Sequence, residues 1–331
     1  METKCPLDTT TAYGPARTPC PGPFTGRAIF GVLAFAMAQP CSIVMTAAPA
    51  AAQSAAVSTP MDAQGRKVSL VTGSTDGLGR EVAIRIAATG AHVIIHGRNA
   101  ERGAEVVAEI QRQGKGTARF YRADLASLAE VRAFGEAILR DYDRLDILIN
   151  NAGIGSRVPA ERELSADGHE LRFAVNYLSH FLLTRMLLPR LKASAPSRII
   201  NVASIGQAPI DFDDVMIERD YSGSRAYGQS KLAQIMFTID LARELQGTGV
   251  SVYALHPATY MDTHMVRSAG IEPRSTVAEG ADAVMNLVTS PDLESGQFFN
   301  GLRPGRANAQ AYDEAARTRL RELSSKLTGA G

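Results

Sequence analysis

From Lys67 onward, short β-branched runs alternate with segments of helical length, and this alternation restricts the chain to a layered strand-helix-strand architecture. The candidate strands are Val68–Val71, His92–His96, Ala118–Arg122, Asp146–Asn150, Arg198–Val202 and Val250–Leu255, with Gln297–Phe299 as a last one. Their nearly unbroken apolar character suits strands buried on both faces of a parallel sheet. Between them, Gly79–Ala88 ends near Gly90 and Ala100–Gln113 ends at Gly114, while Ser127-Leu128-Ala129-Glu130 reads as a capping box that opens a helix to Arg140. Longer helices are expected over 168–192 and 224–246, and Tyr312–Leu327 is amphipathic. The fold class that follows is α/β: one doubly wound, mostly parallel sheet of about seven strands with helices on both faces, which binds ligands at the carboxyl ends of its strands.

Directly after the first strand stands Thr72-Gly73-Ser74-Thr75-Asp76-Gly77-Leu78-Gly79, with a helix following. Glycines let the backbone turn sharply and approach a pyrophosphate, which then rests on the free amides at the positive end of the helix. The strand before and the helix after supply the context this motif requires, so a dinucleotide is the expected ligand. The end of the second strand selects between cofactors, because a carboxylate there would bind the ribose hydroxyls of NAD. The chain has His96-Gly97-Arg98-Asn99 instead, and the Arg98 guanidinium matches a 2′-phosphate. NADP(H) is therefore favoured over NAD(H), although Asp76 in the glycine loop pulls the other way. Asp124 and Leu125 end the third strand at the adenine side, and Asn151, Ala152 and Gly153 follow the fourth, small enough for the nicotinamide half to pass.

Tyr227 and Lys231 are four apart in a helical segment, so both reach one cleft. A phenol is a poor base at neutral pH, and a nearby cation favours its phenolate, which suits proton transfer to or from a substrate oxygen.

Composition bounds the rest. The chain has 331 residues, 45% apolar and 21% charged, with a formal net charge of +1, and shows no footprint of nucleic-acid binding. Cys5, Cys20 and Cys41 all precede the first strand, which suits a reducing compartment, and the histidines show no metal-binding pairing with carboxylates. Residues 1–61 differ in character, rich in Ala, Pro, Thr and Ser, and are set apart as a leader from a single domain over 62–331. Ala28–Ala38 is an apolar run preceded by Arg17 and Arg27. Three readings stand: a dispensable leader with synthesis starting at Met61, a signal or membrane anchor through 28–56, or a disordered tail. A cytoplasmic location is favoured, with export or membrane attachment as the alternative.

Taken together, Thr72 to Gly79, Asp124, Asn150 to Gly153, Asn176, Ser204 and Tyr227 with Lys231 stand in the order and spacing of the short-chain dehydrogenase/reductase family, which the chain resembles over about residues 66–303. Val175-Asn176-Tyr177-Leu178-Ser179-His180-Phe181-Leu182-Leu183-Thr184 and Ser230-Lys231-Leu232-Ala233-Gln234 are similar to its retinol dehydrogenase and protochlorophyllide reductase branch. The resemblance implies a Rossmann fold and hydride transfer between nicotinamide and a carbonyl or alcohol carbon. It further implies Tyr227 as acid/base, and Lys231 on the nicotinamide ribose, lowering the tyrosine pKa. Ser204 would hold the substrate oxygen, and Asn176 would anchor a water leading to Lys231. Pro257 and Thr263 would face the nicotinamide side, where Ala258 stands in place of the family's usual glycine.

The expected partner is a small carbonyl or alcohol substrate, apolar by the branch resemblance. Its walls would come from the loops over 205–224 and 258–277, where His264 and Met265 are candidates to line it, and Asp211, Asp213 and Asp214 read either as part of a wall or as a solvated surface loop. His180, among Leu178, Phe181 and Leu182, reads as packing. The leucine stripe of the last helix serves either the core or a subunit contact, which leaves a homo-oligomer open. The rival from another class is a non-catalytic NADP-binding redox-sensing regulator on the same fold.

Overall fold

The computed structural model describes residues 65–330, so the leader readings for 1–61 fall outside the described residues. Eight strands form one sheet in the order β3-β2-β1-β4-β5-β6-β7-β8. They are β1 (Val68–Val71), β2 (His92–Gly97), β3 (Thr117–Arg122), β4 (Ile147–Asn150), β5 (Ser197–Val202), β6 (Val250–His256), β7 (Phe298–Asn300) and β8 (Arg303–Gly305). All pair in parallel except β8, which folds back antiparallel on β7. This eighth strand was not expected from the sequence. It is three residues long and contains Pro304, which an edge strand tolerates because one side of it needs no ladder bonds.

The helices are α1 (Gly77–Ala88), α2 (Ala100–Gln113), α3 (Leu128–Asp141), α4 (Leu171–Phe173), α5 (Ser179–Ala193), α6 (Gly223–Glu244), α7 (His264–Ser268), α8 (Val277–Thr289) and α9 (Glu314–Thr328). Burial follows position in the sheet. β1 and β4 are buried throughout, whereas β3 alternates between exposed and half-buried because it is an edge strand. The chain winds outward from β1 to β3, returns through α3 to β4 and then winds the other way. The turns after β1 and β4 therefore face each other across the crevice where an open sheet of this kind receives its ligand.

Two local expectations need correction. The helix expected over 168–192 begins at Leu171, since Gly168 takes a left-handed turn (φ 80°), and a π-helical turn at Ala174–Leu178 interrupts it before α5. Ser127 does cap α3 by accepting from the Glu130 amide at 3.3 Å, but Glu130 turns away from the reciprocal bond and accepts from the Asp124 amide at 2.8 Å. The two-sided box forms instead at α8, between Thr276 and Glu279.

Two apolar layers sandwich the sheet. In one of them Phe181 packs against Phe237 and Tyr177 at ring-centroid distances of 5.1 and 6.1 Å, and the buried Tyr177 hydroxyl meets Ser324 of α9 at 2.8 Å. The leucine stripe of α9 thus joins the core: Leu320 is buried, and Leu323 and Leu327 pack against the same layer. Among the described residues no helix is long and apolar enough to cross a membrane.

Because Phe181 is fully buried between α5 and α6, Phe181→Ala is expected to destabilise the domain by about 3–5 kcal/mol. Urea unfolding measures this directly, and a loss well under 1 kcal/mol would contradict the packing described.

Candidate active site

The glycine loop is built from the inside outward. Gly73 and Gly77 have positive φ (64° and 52°), and a Cβ on Gly73 would stand 2.9 Å from the Cα of Ala152, so the turn and its closeness to the β4 loop both demand glycine. Ser74 is buried, with its hydroxyl donating to the Val71 carbonyl at 2.7 Å and accepting from the His96 amide at 3.0 Å. Leu78 is buried as well, with its side chain beside Gly280 of α8. These two expected cofactor residues therefore spend their side chains on the fold, and the positive end of α1 offers its backbone to a ligand. Asp76 caps that helix, accepting from the Gly77 amide at 2.7 Å.

At the end of β2, Arg98 is mostly exposed and lies 3.7 Å from Asp124, and Arg102 reaches Asp76 at 3.2 Å. Such exposed pairs contribute little stability, so an incoming phosphate can exchange for either carboxylate. Arg102 was missed in the sequence, although a cation in the first turn of a helix opposes the helix dipole and is itself a signal. Asn99 turns its side chain into the cap of α2, accepting from the Arg102 amide at 2.9 Å, and Leu125 is buried.

Across the crevice, Asn151 donates through Nδ2 to the carbonyls of Thr72 and Gly73 at 2.8 and 3.2 Å, tying the β4 loop to the glycine loop. Gly153 packs against the reactive groups, since a Cβ there would stand 3.1 Å from Asn176 Oδ1 and 3.6 Å from Lys231 Nζ. Pro257 is buried at the end of β6, and Thr263 packs on Gly77, its Cγ2 3.2 Å from where a Cβ would be.

Ser204 follows β5, Tyr227 lies in the second turn of α6, and Lys231 is one turn further on the same face, its Nζ 5.7 Å from the Tyr227 ring centroid. Burial pushes the Tyr227 pKa up, and the neighbouring Ser204 side chain works against that shift. Lost hydration dominates at this phenol, and Lys231 commits two of its three donors to other acceptors. Lys231 Nζ donates to the Val202 carbonyl at 2.8 Å and to Gln234 Oε1 at 2.9 Å, and burial draws its own pKa down to about 7.

Asn176 sits in the π-helical turn and is fully buried. Its side chain accepts from the Ile154 amide at 2.8 Å and donates to Ser230 Oγ at 2.9 Å. His180 is buried as expected, but it is more than packing. Its Nδ1 stands 3.0 Å from the Asn176 carbonyl, which can only accept, so Nδ1 carries the proton. Burial holds this imidazole neutral (pKa about 3), which leaves Nε2 to accept from the Thr72 hydroxyl at 3.1 Å.

The loop after β5 is tied down rather than loose. Asp211 pairs with Arg225 at 2.9 Å, Asp213 pairs with Arg319 at 2.8 Å, and Asp214 accepts from the Glu218 amide at 2.8 Å. Asp213 is largely exposed, as the solvated-loop reading expects, while the buried Asp214 holds the loop's own backbone. His264 is exposed, and Met265, also exposed, sits 3.2 Å from where a Cβ of Gly155 would be.

The geometry accommodates a dinucleotide: a helix N-terminus behind tight glycines, exposed arginines at the ribose end, and a side-chain-free approach at Gly153 toward Lys231. Among the described residues no cluster of three or more His, Cys, Asp or Glu is arranged to hold a metal.

Comparison with known proteins agrees. The family model for short-chain dehydrogenases matches residues 67–273. Human retinol dehydrogenase 14 is 38% identical over 293 residues, covering 80% of this chain and 86% of that protein. Human retinol dehydrogenase 13 is 38% identical over 286 residues, with 80% and 85% covered. A short-chain dehydrogenase of Shigella flexneri, solved in complex with NADP, superposes with a TM-score of 0.60 at 26% identity, covering 72% of this chain and 97% of that one. With the glycine loop, the Ser204–Tyr227–Lys231 cleft and these relatives in agreement, the chain belongs to the short-chain dehydrogenase family, on its retinol dehydrogenase-like side, and is a nicotinamide-dependent oxidoreductase acting between alcohol and carbonyl groups.

Proposed function

We propose that this enzyme interconverts an apolar aldehyde or ketone and its alcohol with NADP(H), using Tyr227 as acid/base. The observation that carries the reading is the convergence of Ser204, Tyr227 and Lys231 near Gly153, on the loop that follows β4. The cofactor, when bound, supplies or accepts the hydride. Ser204 donates a hydrogen bond that holds the substrate oxygen, and Tyr227 gives that oxygen a proton in reduction or takes one in oxidation. Lys231 supports the negative charge that develops on the tyrosine oxygen and binds the ribose through its remaining donor. Asn176 fixes the neighbouring backbone at Ile154, so that the wall facing the reacting carbon does not shift.

An apolar substrate fits the exposed side chains. Val158, Leu164, Ile205, Tyr260, Met265 and Leu302 are exposed and lie in segments that follow the carboxyl ends of strands β4 to β7, so apolar side chains are available on that side of the sheet. The relatives named for retinol suit the same class. NADP(H) is supported by Arg98 and Arg102 and by the NADP-bound relative.

Assays with long-chain aldehydes, ketones and the matching alcohols test the reading. Tyr227→Phe is expected to lower kcat by about 10²–10⁴-fold while NADPH still binds, and a variant with full activity would remove Tyr227 from its role. Tight NADPH binding by the wild type with no turnover of any substrate would favour the regulator instead. Replacing Arg98 and Arg102 together by Ala is expected to raise KM for NADPH by at least about 100-fold, each lost charge-assisted hydrogen bond costing ~1.5–3 kcal/mol, with KM for NADH nearly unchanged. Equal effects on both cofactors would overturn the 2′-phosphate assignment.

A further inference from the structure

Lys231 is a buried ammonium, 5% exposed, and no carboxylate of the described residues pairs with it. The titratable groups that face it are Tyr227 on its own helix, His180 on α5 and His256 on β6. Both imidazoles are held neutral by burial, with pKa values near 3 and 4, and the lysine charge depresses them further. Nothing anionic compensates Lys231, so its proton depends on two neutral acceptors, the Val202 carbonyl and Gln234 Oε1.

The second acceptor is a side chain, and it holds its orientation at a cost. Gln234 is 1% exposed, and its Nε2 is buried without a hydrogen-bond partner. Turning the amide over would set an NH₂ group against an ammonium, so the oxygen stays on Lys231 and the nitrogen stays unsatisfied. A buried donor left unpaired destabilises a fold, and a leucine of similar size would fill the space without that cost. Packing alone therefore does not account for glutamine at this position.

We propose that Gln234 is a positioning residue for the reaction: its amide oxygen keeps Lys231 protonated and aimed along the cleft, which preserves the cation beside Tyr227. This rests on the role of Lys231 given above. Gln234 touches neither substrate nor the reacting atoms and acts through the lysine.

The experiment is NMR titration of full-length protein labelled with ¹³C-lysine, with the Lys231 ε-carbon signal assigned by its loss in Lys231→Arg. Gln234→Leu removes an acceptor from the ammonium and is expected to move the Lys231 midpoint down by about one pH unit. Gln234→Glu adds negative charge and is expected to move it up. Gln234→Leu should also melt at the same temperature as wild type or higher, since the orphaned amide is gone, while kcat at pH 7 falls about fivefold, in line with the smaller protonated fraction. Unmoved Lys231 midpoints in both folded variants would overturn the proposal, as would a large loss of melting temperature in Gln234→Leu with the midpoint unchanged. The titration needs no turnover, so a wild-type enzyme inactive on every carbonyl would count against the function proposed above and leave the Gln234 result to stand by itself.

Discussion

One hydroxyl holds the site together. Thr72 Oγ1 accepts from the amides of Asn151 and Ala152 at 2.9 and 3.0 Å and donates to His180 Nε2. Through it the end of β1, the loop after β4 and the helix carrying Asn176 share one buried, fully engaged atom. Polar links of this kind inside a low-dielectric core are strong when satisfied and costly when broken, so they set distances rather than merely permit them. The glycine loop cannot shift against the Asn151–Gly153 wall without breaking them, and the π-helical turn is held by the second nitrogen of the same imidazole.

The electrostatics of the cleft follow from burial. His180 and His256 are kept neutral, leaving Lys231 as the cation that neighbours Tyr227. A cation near its own midpoint is sensitive to small changes in its acceptors, which is why a neutral amide one turn away carries weight in this site. At the ribose end the reverse holds. Exposed arginines and aspartates pair loosely in water, and the pairs are cheap to exchange for a phosphate.

The substrate side is secured by longer connections. Arg172, fully buried, donates to the Gly155 carbonyl at 2.8 Å and to the Tyr221 hydroxyl at 2.5 Å, so the loop after β4 is bracketed to the entry of α6, which carries Tyr227. Gln310 grips both backbone groups of Ile210, donating to its carbonyl at 3.0 Å and accepting from its amide at 2.6 Å, and so ties the loop after β5 to the chain that leads into α9. The apolar side chains are thus displayed on loops that are themselves anchored, which lets these residues vary without disturbing the reacting groups.

Periodicity and local chemistry were enough to place the parallel strands and main helices, the glycine loop and the Tyr227–Lys231 face, because each depends on neighbours within a few residues or on one helical turn. The interruption at Ala174–Leu178, the antiparallel β8 and the departure of Glu130 from its capping box were not legible, since local pattern does not decide between competing partners such as the Asp124 and Ser127 amides, and β8 is only three residues long. The same holds for the charges. The sequence identified the residue types at the site, and the fold alone determined that burial pushes Tyr227 up, that Arg102 meets Asp76, and that Lys231 faces Gln234 with no carboxylate paired to it. Local pattern determines which side chains share a face; burial and the company each polar group keeps exist only once the chain is packed, and these set the protonation states on which the chemistry runs.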